Sequence, residues 1–350
     1  MGESGMKLFL FLLLILAACA PATEQVKIGA IISLTGWGTY WGEPNLKGLE
    51  LAQADIKEQL GMDIELIVED HKSDAKEAAT AAQKLISVDN VDAVITEFSG
   101  PSVAASPIVL AAKKLFLYDG FVPQPAENNP YALKFYLDPY TECNKLAEIA
   151  HARGKTNPAG VIASSDFSTP CKKGVTEVFP DATFYDYAIP DTDFRTILTK
   201  VKARGADVII SLGYEQNFIA MFTQKKELGI TVPIYCGSKA DCATESVPEE
   251  DDTVVFDFSV RPEFAAKFKA RYPDATETDL QAAASSYDEL MIAAHAFKAC
   301  PDKNIDCLVD AAKHAPYTTA IRSTGISENR ILQVQTANFE RVNGEWKLLE

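Results

Sequence analysis

Residues 34–48 bring glycines and large aromatic side chains together in the segment LTGWGTYWGEPNLKG. Glycines after an apolar strand can cradle a dinucleotide pyrophosphate, whereas Tyr40 and Trp41 would offer an apolar wall to a small solute. A dinucleotide fingerprint requires Gly-x-Gly-x-x-Gly and an acidic residue about 20 positions further on. Here the third glycine is displaced to Gly42, and the second predicted strand ends too late, at Asp70. The spacing therefore favours a wall for a solute.

Two further segments carry polar groups directly after predicted strands. Residues 99–102, Ser-Gly-Pro-Ser, follow the predicted strand 91–96 and open a helix. Their backbone N–H groups and two hydroxyls can hold a carboxylate, but they can equally serve only to cap the helix. The second segment carries Lys239 and Asp241. A lysine facing a ligand would attract an anion, although most lysines face solvent.

Nothing in the sequence points to catalysis. The histidines stand at positions 71, 151, 295 and 314, apart from any nucleophile motif. Gly-x-Ser-x-Gly and His-Glu-x-x-His are both absent. The acidic run 249–252 is typical of a solvated surface loop. We therefore expect no enzymatic activity, no metal site and no cofactor.

The charge of the chain excludes one class of partner. Its 350 residues carry a formal net charge of −16, with a pI of about 4.8. An acidic surface repels phosphate backbones, so we expect no nucleic-acid binding. The hydrophobic fraction of 47% is normal for a globular protein with a sizeable core.

The N-terminal segment predicts export. Lys7 precedes the apolar run 8–16, which is too short to span a bilayer and fits a signal peptide of residues 1–18. Leu-Ala-Ala-Cys follows and resembles the lipobox of secreted lipoproteins, which makes Cys19 the lipid attachment site and residues 19–25 an anchored linker. The alternative is an ordinary signal peptide with an incidental cysteine. Translation could start at Met1 or Met6. We expect an extracytoplasmic protein that meets the membrane only through its lipid.

Export changes the interpretation of the remaining six cysteines. An even number in an oxidising compartment indicates three disulfides, for which fifteen connectivities exist. Proximity in sequence favours Cys236–Cys242 and Cys300–Cys307, which leaves Cys143–Cys171. A zinc site is the rival hypothesis, but no Cys-x-x-Cys is present.

The elements that must position these residues alternate along the chain. Short apolar runs, such as Val26–Leu34 and Val208–Leu212, alternate with stretches of helical periodicity, such as Leu46–Gln59. This alternation predicts parallel sheets covered by helices, here in two similar halves. A long helix, Asp279–Ala299, follows, and the turn Asn343-Gly344 predicts a C-terminal hairpin of two strands, Leu332–Val342 and Glu345–Leu349.

Four segments resemble the type I periplasmic binding proteins, and more closely their Leu/Ile/Val-receptor branch. They are VKIGAIISLTGWGTYWGEPNLKGLELAQADI, IELIVEDHKSDAKEAATAAQKLI, VDAVITEFSGPSVAASPIVLAAKKL and DTDFRTILTKVKARGADVIISLGYEQNFIAMFTQKKELGI. The resemblance implies an α/β fold of two Rossmann-like lobes, each a doubly wound parallel sheet, joined by three hinge crossovers around an interlobe cleft. The implied lobes are residues 26–138 plus 262–320, and residues 139–261 plus 321–350.

The resemblance also places ligand-binding residues. Ser99, Gly100 and Ser102 match the loop that binds a ligand carboxylate. The remaining matches are Tyr40 and Trp41 after the first strand, Gly120 and Phe121 after the fourth, and Phe167, Ser168, Tyr214, Glu215, Lys239 and Asp241 in the second lobe. Phe121 and Tyr214 could instead be ordinary core residues.

Two positions depart from the pattern of the branch. Val122 stands where a hydroxyl usually holds the carboxylate, and Lys239 stands where an acidic residue usually pairs with the ligand ammonium. Either Asp241 or Glu215 replaces that acid, or the ligand is not a simple α-amino acid. We predict that leucine binds poorly and that a carboxylate without an amine binds better.

The implied function is solute binding for an ABC importer. The ligand would be a small polar solute, an amino acid or a related carboxylate or amide, and the permease subunits would recognise the form closed around it. Bending is expected near residues 137–139 and 260–262. The alternative is a ligand-sensing module for a membrane signalling receptor.

Overall fold

The computed structural model describes residues 25–165, 167–244 and 246–349. Its strands form a five-stranded sheet, a seven-stranded sheet and a two-stranded ribbon. The predicted signal peptide and Cys19 lie outside the described residues. The strands are β1 Val26–Ile32, β2 Ile64–Asp70, β3 Ala93–Glu97, β4 Leu115–Asp119, β5 Ala132–Lys134, β6 Pro158–Ala163, β7 Thr183–Tyr187, β8 Val208–Leu212, β9 Ile234–Cys236, β10 Val254–Phe258, β11 Ser323–Ile326, β12 Leu332–Val334, β13 Thr336–Val342 and β14 Glu345–Leu349.

The two large sheets share one topology, which confirms the predicted two-lobe α/β fold. The first has the order β2-β1-β3-β4-β5, and every neighbouring pair is parallel. The second repeats this order as β7-β6-β8-β9-β10 and adds β13 and β14 as antiparallel edge strands. In this doubly wound order, ligands bind beyond the carboxyl ends of the strands, beside β1 and β3 and their counterparts β6 and β8.

Helices cover both faces of the sheets. Apolar strands such as β3, β4 and β8 are buried throughout, as a parallel sheet between helix layers requires. The helices are α1 Thr39–Leu60, α2 Ala75–Ser87, α3 Ser99–Ala111, α4 Gln124–Asn128, α5 Pro139–Ala152, α6 Ser168–Val178, α7 Arg195–Arg204, α8 Glu215–Glu227, α9 Lys239–Cys242, α10 Pro262–Arg271, α11 Glu277–Ala299 and α12 Ile305–Lys313.

The chain returns to the first lobe after β10. Helix α11 packs lengthwise on α1, and the approach is close because Gly48 has no side chain. A β-carbon at Gly48 would lie 2.3 Å from the carbonyl oxygen of Ala283. Strands β13 and β14 then join the second sheet, so the chain passes between the sheets three times. The boundaries of the two lobes remain a prediction.

The first helix begins earlier than its periodicity predicts. The segment with Tyr40 and Trp41 is the first turn of α1, because the carbonyl of Gly38 accepts hydrogen bonds from the N–H groups of Trp41 and Gly42, both at 3.0 Å. A β-carbon at Gly42 would lie 2.0 Å from the carbonyl oxygen of Ser33. This glycine therefore lets the helix cross the end of β1 rather than bending a phosphate-binding loop.

The C-terminal hairpin differs from its prediction in one respect. Residues 332–342 do not form one strand. The backbone N–H of Gln335 donates to the carbonyl of Arg322, and the chain is interrupted there between β12 and β13. Residues 332–334 pair with β11 instead. The predicted turn at Asn343-Gly344 does join β13 to β14, with both residues at positive φ.

The three predicted disulfides are present. Cys143–Cys171 links helices α5 and α6, Cys236–Cys242 spans α9, and Cys300–Cys307 links the end of α11 to α12. Among the described residues, none of the helices combines the length and the apolar character needed to cross a bilayer.

Candidate solute-binding cleft

A small cavity lies between the carboxyl ends of the two sheets, where the topology predicts a binding site. Its volume is about 20 Å³, enough for the centre of a single water molecule. We call this space the cleft cavity. Its lining residues come from both lobes and are Tyr40, Trp41, Phe98, Asp119, Gly120, Phe121, Tyr136, Tyr214 and Asp241.

The start of α1 places two aromatic residues at the cavity. The indole N–H of Trp41 donates to Oδ2 of Asp119 at 3.2 Å, which ties the helix to the end of β4. The Trp41 ring also packs edge-on against Tyr136, with 5.9 Å between ring centroids. Both Trp41 and Tyr136 are almost fully buried, so these contacts fix the wall of the first lobe.

Aromatic contacts and a hydrogen bond at the cavity cross between the lobes. The hydroxyl of Tyr40 donates to Oδ1 of Asp241 at 2.5 Å. The rings of Trp37 and Tyr214 lie 4.5 Å apart at the mouth of the cavity. Phe121 lies 5.1 Å from the ring of Phe167 in the opposite lobe. These contacts hold the lobes together mainly because the rings bury apolar surface in preferred relative orientations. Such contacts suit a cleft that opens and closes.

Two carboxyl groups at the cavity are strongly perturbed by burial. Loss of hydration raises the pKa of Asp119 to about 7 and the pKa of Asp241 to about 8. Hydrogen bonds from Trp41 and Tyr40, respectively, only partly offset this effect, because both donors are neutral. The sites favour protonated carboxyls unless a positive charge approaches.

Further titratable groups face these two carboxyls. Those facing Asp119 are Glu97, Lys134, Tyr136 and Glu289. Those facing Asp241 are Tyr40, Tyr136, Glu142, Tyr187, Glu215 and Asp257.

Six of the residues predicted from the sequence line the cavity. They come together from four separate loops or helix starts, as expected for a site at the ends of parallel strands. These residues are Tyr40, Trp41, Gly120, Phe121, Tyr214 and Asp241.

Ser99, Gly100 and Ser102 lie just outside the cavity. The hydroxyl of Ser99 accepts the N–H of Phe121 at 3.1 Å, and the hydroxyl of Ser102 lies 2.5 Å from that of Thr96. Both serines are buried. Their hydroxyls hold neighbouring elements together, and the loop contributes its neighbour Phe98 to the lining instead.

The remaining predicted residues surround the lining. Phe167 and Ser168 lie behind Phe121 at the start of α6, and Glu215 is the first residue of α8. Lys239 does not reach the cavity, because its ammonium lies 5.6 Å over the ring of Phe339 on β13.

Three lining residues were missed by the sequence analysis. Asp119 ends β4 directly before Gly120, and Phe98 directly precedes Ser99, so each stands one position from a predicted residue. The position of both residues at or directly after the end of a strand is the signal that could have predicted them. Tyr136 follows the short strand β5, which the periodicity did not reveal.

A larger groove of about 640 Å³ lies on the outside of the first lobe. Residues of α1, α10 and α11 and of the segment 316–320 line it. Since all of these lie on one side of the cleft, closure of the lobes cannot enclose a ligand there. Among the described residues, no cluster of histidine, cysteine or carboxylate side chains suited to a metal ion is found.

The sequence model of the periplasmic binding protein family matches residues 25–345. The Leu/Ile/Val-binding protein homolog 7 of Brucella suis is 28% identical over 236 residues. That match covers 61% of this chain and 59% of the relative. The chain thus spans less than two thirds of the length of this curated relative.

Solved structures share the fold. The branched-chain amino acid transporter substrate-binding protein LivJ of Streptococcus pneumoniae, in complex with isoleucine, superposes with a TM-score of 0.79. It is 20% identical, over 93% of this chain and 99% of that one. A solute-binding protein of an ABC transporter from R. palustris, in complex with 4-hydroxybenzoate, gives a TM-score of 0.83 at 17% identity, over 93% and 96% of the two chains. Together with the match over residues 25–345, these likenesses show that the chain belongs to the periplasmic binding protein family, in the type I branch of the Leu/Ile/Val-binding proteins.

Proposed function

We propose that the chain is a solute-binding protein that captures a small polar solute outside the cytoplasm and delivers it to an ABC importer. The observation that carries the proposal is the cleft cavity, which is lined by both lobes and crossed by the bond from Tyr40 to Asp241. A solute seated there contacts both lobes at once. It therefore stabilises the closed form by its differential affinity for that form.

Closure requires bending where the chain passes between the sheets. Lys134 is buried at the first passage, and its ammonium donates to the carbonyls of Tyr136 and Leu137. Val260 and Ile321 form a backbone bridge where the other two passages run side by side. These few residues would absorb the change in backbone angles while each sheet moves as a rigid body.

The family supports a location outside the cytoplasm and a binding function without catalysis. The sequence adds a lipid anchor at Cys19 to this proposal. Incorporation of labelled palmitate that is lost in Cys19→Ala would establish the anchor. Release of the unmodified protein from membranes at high salt would argue against it.

The solute class that the sequence favours is an amino acid or a related carboxylate or amide. The relatives bind solutes of this kind: isoleucine in the Streptococcus protein and 4-hydroxybenzoate in the R. palustris protein. A thermal-shift screen of amino acids, organic acids, amides and amines tests the proposal. A ligand at ~100 times its dissociation constant adds about 2.7 kcal/mol to the free energy of unfolding.

Small-angle scattering then distinguishes binding from closure. A stabilising solute should reduce the radius of gyration, because the lobes close around it. A solute that stabilises the protein without any change in shape would contradict the hinge mechanism. Permease genes next to this gene would support delivery, and a receptor gene there would support the alternative of ligand sensing.

A further inference from the structure

We propose that the solute is an organic ammonium cation, held by aromatic rings and by two carboxylates from opposite lobes. This inference rests on the proposed function, the capture of a small polar solute, and assigns that solute a chemical class. It replaces the carboxylate that Val122 and Lys239 suggested in the sequence.

The aromatic content of the cleft cavity is the first observation. Six of its nine lining residues among the described part of the chain are phenylalanine, tyrosine or tryptophan. Aromatic rings attract cations through their quadrupole, and desolvated examples contribute about 2 kcal/mol or more. Rings from both lobes meet at the cavity, as Phe98 and Tyr214 do with 6.1 Å between ring centroids, and they shield a ligand in the cavity from water.

The charge of the lining is the second observation. Asp119 ends β4 in the first lobe and Asp241 lies on α9 in the second, and both are at least 95% buried. Among the described residues that line the cavity there is no lysine, arginine or histidine. Two desolvated carboxyls without a cationic partner in the lining favour a cationic ligand, because a bound cation stabilises their ionised forms.

The nearest cations are occupied elsewhere. The ammonium of Lys134 is bound by the backbone carbonyls at the first crossover. The ammonium of Lys239 lies over the ring of Phe339, which does not line the cavity. Glu142, fully buried and with both carboxyl oxygens unpartnered, adds to the acidic character behind Asp241.

The serines that the resemblance assigns to a carboxylate contact neighbouring elements instead of the cavity. The hydroxyl of Ser99 accepts the N–H of Phe121, and the hydroxyl of Ser102 pairs with that of Thr96. None of these serines lines the cavity. An anion in the cavity would therefore meet two carboxyl groups and no serine hydroxyl.

Choline and its neutral analogue 3,3-dimethylbutan-1-ol test the charge directly, since they have the same shape. Isothermal titration of the full chain should show that choline binds at least about thirtyfold more tightly than the alcohol. Tetramethylammonium should compete with choline. Leucine and 4-hydroxybenzoate complete the panel as a zwitterion and an anion.

Two isosteric variants connect the affinity to the cavity. Asp241→Asn and Asp119→Asn should each weaken choline binding about thirtyfold or more and leave the weak binding of the alcohol unchanged. Asp181→Asn, at an exposed position of the second lobe, is the matched control and should bind choline like the unmodified protein. Circular dichroism establishes that each variant is folded.

Proton release supplies an independent readout. Because Asp241 is mostly protonated and Asp119 is about half protonated at pH 7, a bound cation should expel about one proton there. Titrations in buffers of different ionisation enthalpy measure this number. Binding of choline with no proton exchange would contradict the contact with these carboxyls.

The remaining outcomes separate the two proposals. Tight binding of leucine or 4-hydroxybenzoate, with no response to choline, overturns the cation and leaves solute binding intact. Choline binding that Asp241→Asn and Asp119→Asn do not weaken overturns the site. A failure of every solute in the panel and in the wider screen overturns both the cation and the proposed function.

Discussion

Asp241→Asn should stabilise the ligand-free protein at neutral pH. Burial raises the pKa of Asp241 from 3.8 to about 8, so the folded protein holds a proton that the unfolded chain gives up. Below about pH 4 the carboxyl is protonated in both states and costs nothing. As pH rises from about 4 to about 8, the unfolded state ionises first and stability is lost by about 1.4 kcal/mol per pH unit.

The magnitude at pH 7 follows from this window. About three pH units separate pH 7 from the unfolded pKa, so the carboxyl costs about 4 kcal/mol there. Asparagine has the same shape, is neutral at every pH, and can still accept the hydroxyl of Tyr40. For a chain of this length, the variant should melt about 6 °C higher at pH 7 and close to the unmodified protein at pH 4.

Urea unfolding from pH 4 to pH 8, with the disulfides intact, measures the difference directly. Asp181→Asn is the control, because that side chain is exposed and should show no pH-dependent difference. A stability difference that does not grow between pH 4 and pH 8 would refute the reasoning, since it would mean that Asp241 is hydrated or paired. If Asp241→Asn gains stability and loses choline binding, then Asp241 serves binding although it lowers the stability of the fold.

Three further predictions test the cleft and its support. Tyr40→Phe should weaken choline binding about tenfold in a titration, because its hydrogen bond across the lobes is lost and Asp241 is left without its donor. Unchanged affinity would mean that this bond does not assist closure. Lys239→Gln should leave choline affinity within about twofold, since its ammonium lies over another residue; a large loss would place the lysine at the ligand. Gly48→Ala should lower the free energy of unfolding in urea by about 1–3 kcal/mol, because its β-carbon would meet the carbonyl of Ala283; an unchanged midpoint would show that α1 and α11 can move apart freely.

The sequence predicted the parallel strands well because their apolar runs are buried on both faces. The predicted strand Val208–Leu212 has the observed bounds, and the helix predicted over Asp279–Ala299 begins only two residues earlier. The short strand Ala132–Lys134 was missed because three residues carry no measurable period. The first turn of α1 was missed because glycine, proline and aromatic residues there hide the helical pattern.

The candidate site was likewise predicted only in part from the sequence. The position of Asp241 after a strand was sufficient to place it at the cleft, because parallel strands bring their carboxyl ends to one edge. The same argument placed Lys239 and Ser99 at the ligand, although their side chains turn elsewhere. The position of a residue along a strand predicts at which edge of the sheet it lies, but the direction of its side chain depends on what packs around it.

The sequence alone therefore determined the two α/β lobes, the three disulfide pairs and the loops that meet in the cleft. These features follow from local patterns, namely burial period, cysteine spacing and strand ends. Only the tertiary structure decided the charge of the cavity. The ammonium of Lys239 lies over Phe339 instead of in the cavity, and Asp119 lines the cavity beside Trp41, because packing between elements of each lobe fixes the direction of these side chains. The direction of these side chains depends on contacts between residues far apart in the chain, which no local sequence pattern predicts.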